Sequence, residues 1–152
     1  MKKIQTSFVL LTVVVFLAAF SRLMPHLQNF SPICSLGLFG AAYFDKRWKA
    51  YLIPFLATFL SDIFLSQFVH TNEPFLYKGI EWQYISYALI VGVGFLLFTK
   101  VTWQRVGLGV VFSTLIFFLV TNIACWPGNP LYSQDMSGLI QSVVAGIPFI
   151  KG

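Results

Sequence analysis

Between Ala50 and Val69 the sequence is mostly apolar and carries a single charged side chain, Asp62. An ionised carboxylate in an apolar medium costs several kcal/mol unless it is paired, so Asp62 must face protein or a water-filled cavity. If a helix begins near Trp48, Asp62 lies about four turns along it. Arg22, which closes the first apolar run, is the natural counter-charge. Two readings of that pair stand side by side. Arg22 and Asp62 lock two helices together, or they belong to a polar pocket that also draws on His26 and Asn29. Asn122 and Trp126 are spaced i to i+4, so a helix continuing through both would set an amide and a large ring on one face. An aromatic wall with a few convergent polar groups suits a small polar ligand. The same two residues would equally serve as an interhelical hydrogen bond and an interfacial anchor. The candidate ligand-binding set is therefore Arg22, His26, Asn29, Asp62, Asn122 and Trp126.

Catalysis is not expected, and no residue is assigned a catalytic role. The sequence holds no His-Glu-x-x-His, Gly-x-Ser-x-Gly or paired-acid motif, so an activated nucleophile or acid–base couple has no signature. Its two histidines, His26 and His70, make too small a donor set for a metal site. Cys34 and Cys125 lack Cys-x-x-Cys spacing and read as free, buried thiols. No Gly-rich phosphate loop is present, so no cofactor is expected and any ATPase would be a separate chain.

The elements that position these residues follow from composition. Of 152 residues, 57% are hydrophobic and 10% charged, and the mean hydropathy is +0.78. Too little polar surface exists to cover a water-exposed globule, so lipid must solvate much of the outside. Backbone groups in lipid must be paired within their own segment, so apolar stretches read as helices. Six are expected, over residues 4–23, 31–44, 48–69, 82–98, 106–125 and 136–150, within one integral membrane domain covering 1–152. Pro25 stops the first, and Ser31-Pro32 is an N-cap with proline at the first helical position. Gly37, Gly40, Ala41 and Ala42 suit the second to close packing inside the bundle. Pro54 predicts a kink in the third, and Trp126-Pro-Gly-Asn-Pro130 marks a turn. The first run resembles a secretory signal but lacks a small-x-small cleavage site, so it reads as an uncleaved helix.

The net charge of +5 does not point to nucleic acid, because the basic residues are separated by apolar segments. They sort by loop instead. Lys2, Lys3, Lys46, Arg47, Lys49, Lys100, Arg105 and Lys151 fall on one side of six crossings, and Arg22 and Lys78 on the other. By the positive-inside rule the first side is cytoplasmic, with both termini there. Tyr43, Trp48, Tyr51, Trp82, Tyr84, Trp103 and Trp126 lie near expected helix ends, where amphipathic rings favour the headgroup layer. The reading is an all-α polytopic helix bundle of a bacterial inner membrane. Its expected partners are the lipid bilayer, a small polar ligand and a separate ATPase or membrane chain.

The order of motifs also resembles a family of small bacterial membrane proteins known only as a domain of unknown function. The resemblance rests on Pro25-His-Leu-Gln-Asn-Phe-Ser-Pro-Ile33, Leu38-Phe-Gly-Ala-Ala-Tyr-Phe44, Ser61-Asp62, Thr121-Asn122 with Trp126, and Ala145-Gly-Ile-Pro-Phe149. It implies a membrane protein and no particular activity. Chains of that family continue further past the last motif, so a longer C-terminal segment is expected. In size and helix number the chain is also similar, at the level of architecture, to substrate-binding subunits of energy-coupling-factor transporters. That likeness implies nutrient capture from outside and docking on an ATPase module. The Ala-x-x-x-Ala docking patch of those subunits is missing from the first helix, and Gly37-x-x-Gly40 is the nearest substitute. The competing expectation is a non-transporting scaffold subunit of an envelope complex.

Overall fold

The computed structural model describes residues 8–21, 33–68 and 79–148. They form six helices and, among the described residues, no strand: α1 (Phe8–Phe20), α2 (Ile33–Tyr43), α3 (Arg47–Phe68), α4 (Ile80–Leu97), α5 (Trp103–Ala124) and α6 (Met136–Gly146). The all-α bundle is as the apolar runs predicted. Three helices, α3, α4 and α5, are long and apolar enough to cross a membrane, while α1, α2 and α6 are shorter apolar helices. At 11 residues, α2 and α6 rise only about 16 Å each, roughly half of a hydrocarbon layer.

The packing has a clear order: α1 lies on α3, α3 on α2, α2 on α4, α4 on α5 and α5 on α6, with α2 also reaching α1 and α5. At one end of the bundle, called near, Phe8 meets Phe44 edge-on at 6.3 Å. At the opposite, far end, Phe20 meets Phe64 at 5.4 Å. The core runs along Leu11, Val15 and Ala19 of α1, Leu36 and Ala41 of α2, Ala50, Ile53 and Ala57 of α3, and Tyr87 and Val91 of α4. Outside it, large apolar side chains are open along whole helices, among them Val9, Leu17, Leu52, Leu89, Val111, Phe112 and Ile140. Contiguous apolar surface on this scale is what lipid, not water, solvates.

Glycine on α2 and α4 sets the closest approaches. A Cβ at Gly40 would stand 2.7 Å from the Ala50 carbonyl oxygen and 3.3 Å from Pro54, and one at Gly94 would stand 2.5 Å from the Ala41 Cβ. Small residues thus let α2 seat against both α3 and α4, as their spacing predicted. The meeting point is Pro54, inside α3. Proline has no N–H and cannot donate to the carbonyl four residues back, which is that of Ala50. The Tyr87 hydroxyl of α4 supplies the missing donor at 2.8 Å, and lies 3.2 Å from the Tyr51 carbonyl.

Helix ends explain where the sequence reading misplaced boundaries. α5 begins at Trp103 and not at 106, because Thr102 is extended and its hydroxyl accepts from the Arg105 N–H at 3.4 Å, an N-cap. Arg105 then turns back to donate to the Leu97 carbonyl at 2.8 Å and to Thr99, which covers the C-terminus of α4. α5 ends at Ala124, so Trp126 lies beyond the helix. Pro127 disfavours helical geometry at the residue before it.

Candidate functional site

Of the six residues expected to line one pocket, three are described, and they do not converge. Arg22, His26 and Asn29 lie outside the described residues. Asp62 is 7% exposed, on the last third of α3, and its Oδ2 accepts a hydrogen bond from the Tyr84 hydroxyl at 2.7 Å. The Tyr84 ring packs on Phe55 with centroids 4.8 Å apart, so one turn pair of α3 holds both ring and hydroxyl. Beneath it the buried hydroxyls are turned inward on their own helices: Thr58 onto the Pro54 carbonyl at 3.0 Å and Ser61 onto the Thr58 carbonyl at 2.8 Å. This layer joins α3 to α4. The position of Tyr84 near a helix end predicts an interfacial anchor, but its hydroxyl is bonded to Asp62.

Asn122 belongs to another contact. Its side-chain N–H donates to the Phe118 carbonyl at 2.8 Å, and its backbone carbonyl accepts from the Ser142 hydroxyl of α6 at 2.7 Å. A Cβ at Gly146 would collide with the Asn122 amide. Asn122 therefore pins α6 to the last turn of α5, and α6 contacts no other helix among the described residues.

Trp126 is part of a self-bonded turn between α5 and α6. Its indole N–H donates to the Ser133 carbonyl at 2.7 Å. The Gln134 side chain fills the loop, donating to the carbonyls of Tyr132 at 3.1 Å and Trp126 at 3.2 Å and accepting from the Gly128 N–H at 3.0 Å. Gly128 has φ +68°, a conformation that suits glycine. Asn129 closes the other side by donating to the Cys125 carbonyl at 3.1 Å. Asp135 ends the loop by capping α6: its Oδ1 accepts from the Ser133 hydroxyl at 2.7 Å and the Gly138 N–H at 2.9 Å. Those two bonds, the Ser133 hydroxyl foremost, hold the Asp135 carboxyl below its ordinary range. The i to i+4 wall of Asn122 and Trp126 is thus corrected to two separate roles, because Pro127 ends the helix between them.

What the far end does present is a groove between this turn and the first turn of α4, with a volume of about 460 Å³. Glu81, Trp82 and Gln83 line it from α4, and Thr121, Cys125 and Asn129 from the end of α5 and the turn that follows. Glu81 sits in the first turn of α4, where a carboxylate is favoured by the helix dipole. Gly79, at φ +100°, brings the chain into that turn. Cys125 is exposed here, whereas the sequence reading had it buried; Cys34, half-buried, points its thiol at the Ser113 carbonyl at 3.8 Å. The groove escaped sequence reasoning because its walls come from segments about forty positions apart, Glu81 to Gln83 and Thr121 to Pro130, and each looks locally like an ordinary helix end or turn.

The charges are also polarised. Among the described residues, Lys46, Arg47, Lys49, Lys100 and Arg105 lie in or beside the near-end links, with Asp45 as the acid there, while Glu81 and Asp135 are the charged residues of the far-end loops and helix starts.

These features define an all-α bundle of apolar helices, three of them of membrane-spanning length, with a polar groove at the end opposite its basic links. The chain belongs to the Family of unknown function (DUF6580), whose sequence profile matches residues 2–152. No curated protein and no solved structure matches it.

Proposed function

We propose that this protein is a polytopic subunit of a bacterial cytoplasmic membrane that binds a small polar molecule in the far-end groove, from outside the cell. The observation that carries the reading is the groove itself: an open cleft of about 460 Å³ with a tryptophan wall, a carboxylate, two amides and a hydroxyl. Ligand sites are commonly of this size and pair apolar walls with a few polar groups. The turn that forms one side is held by its own side-chain bonds, so little ordering would be needed on binding. The segregation of Lys and Arg among the described residues to the near end supports a cytoplasmic near end. A separate ATPase or membrane chain would couple such binding to transport, and no catalytic step is assigned.

A second reading has its own support. Asp62, Asn122 and Trp126 are each engaged in bonds within the chain, as expected of a scaffold subunit whose polar residues lock helices together. A thermal-shift screen of the detergent-purified protein against vitamins, nucleobases, amino acids and metal ions separates the two. A ligand at one hundred times its dissociation constant should stabilise the fold by roughly 2.7 kcal/mol. One compound class should raise the melting temperature, and Trp82→Ala should remove that shift. Absence of any shift across the screen favours the scaffold.

A further inference from the structure

A second cleft, of about 450 Å³, opens at the near end between α2 and α5. The two helices touch deeper in the bundle, where a Cβ at Gly109 would stand 3.4 Å from the Leu38 side chain. Toward the near end they part. The space between them is lined mainly by apolar residues, Leu38, Phe39, Ala42, Phe98, Val106 and Val110 among them, with Ser35 and Thr102 as its hydroxyls. Tyr43 and Trp103 stand at its mouth and are open, Trp103 at 92% exposure. Amphipathic rings of this kind favour the headgroup layer of a bilayer, so they mark the depth at which the cleft meets lipid phosphates.

The cations of this end are not equally committed. Lys49 binds Asp45 at 3.0 Å and lies over the Phe8 ring at 4.4 Å. Arg47 lies over Phe95 at 5.9 Å, and Arg105 donates to the Leu97 carbonyl. Lys46 and Lys100 are exposed and have no partner among the described residues. Both lie in sequence close to residues that line the cleft: Lys46 three residues beyond Tyr43, Lys100 next to Val101. A mainly apolar slot with two exposed ammonium groups in the segments that flank its mouth complements one ligand chemistry, a hydrocarbon tail attached to a phosphodiester.

We propose that this cleft is a binding site for an anionic phospholipid, with an acyl chain lying against Phe39, Ala42 and Val106 and the phosphate held by Lys46 and Lys100. The site is separate from the far-end groove and does not depend on a ligand being bound there. It gives α2, too short to span by itself, a lipid partner along its open side.

The test is native mass spectrometry of the purified full chain equilibrated with equal amounts of phosphatidylglycerol and phosphatidylcholine carrying the same acyl chains. Phosphatidylglycerol should be retained in preference, by roughly fivefold for each participating lysine. The double variant Lys46→Gln, Lys100→Gln should lose that preference, and Val106→Trp, which fills the slot, should lose retained lipid of both kinds. Equal retention of the two lipids by the wild type, an unchanged preference in the lysine variant, or full retention by a folded Val106→Trp protein would each overturn the proposal. If Val106→Trp does not fold, the exposed lysine variant decides alone, since neither side chain holds the bundle together.

Discussion

The Tyr87 hydroxyl of α4 donates to the Ala50 carbonyl of α3 at 2.8 Å, and that carbonyl is the one Pro54 deprives of its helical donor. A defect in one helix is thus completed by a side chain of another, at a point where both residues are fully or nearly fully buried. Leaving a buried acceptor unsatisfied costs about 1–3 kcal/mol. Tyr87→Phe should destabilise the bundle by about that amount. In a Pro54→Ala background, where an N–H returns to position 54, the same substitution should cost markedly less. Chemical or thermal unfolding of the four proteins in this cycle measures the difference, and equal costs in both backgrounds would show that the bond does not serve the proline.

Glycine placement gives a second expectation, in which space and helix propensity pull in opposite directions. Alanine for glycine inside a helix is ordinarily worth roughly 0.5–1 kcal/mol in its favour. At Gly107, where nothing lies within 4 Å of the missing Cβ, Gly107→Ala should show that gain. At Gly40 the Cβ would press on the Ala50 backbone oxygen, and Gly40→Ala should instead cost about 1–3 kcal/mol through overpacking. Melting temperatures of the two variants in the same detergent should move in opposite directions.

Asp62 and Tyr84 test whether the polar layer of α3 and α4 is structural. Asp62→Asn keeps an acceptor for the Tyr84 hydroxyl, so the variant should stay folded and should bind a groove ligand as the wild type does. Tyr84→Phe removes the donor and should cost roughly 1–3 kcal/mol. A loss of ligand affinity in folded Asp62→Asn, measured by titration calorimetry, would place Asp62 in the binding site after all.

The cap of α6 predicts a pH dependence. Asp135 has its carboxyl held below the ordinary range by Ser133 and the Gly138 N–H. A carboxyl with a depressed native pKa contributes stability that is fully present above its unfolded value, about 3.9, and lost as pH falls through the lower native value. The attachment of α6 should therefore be constant from pH 8 to 5 and weaken only in stronger acid. Exchange of the Gly138 amide, referred to its intrinsic rate at each pH, should report this, and Asp135→Ala should be unprotected throughout. Protection that fades between pH 7 and 5 would contradict the capping role.

Much of the fold could be read from the residues, because apolar runs and the need to pair backbone in lipid leave few alternatives to a helix bundle. The small residues of α2 were legible for the same reason: Gly40 and Ala41 lie at the contacts with α3 and α4. The site was less so. Tyr84 near the start of α4 looks like any interfacial aromatic, and only the approach of α3 reveals its bond to Asp62. Asn122 and Trp126 have helical spacing, yet Pro127 stops the helix first, and one turns to α6 while the other turns into its own loop. The groove depends on α4 and the α5–α6 turn meeting across the bundle, which no local pattern encodes.

Cys125 offers the most direct test, because this native thiol is exposed and lines the groove. In cells expressing the Cys34→Ala protein, a membrane-impermeant maleimide added outside should label Cys125, and the compound class found by thermal shift should slow that labelling. Labelling only after the cells are opened, or labelling at an unchanged rate with the compound bound, would contradict an outward groove that receives a small polar molecule.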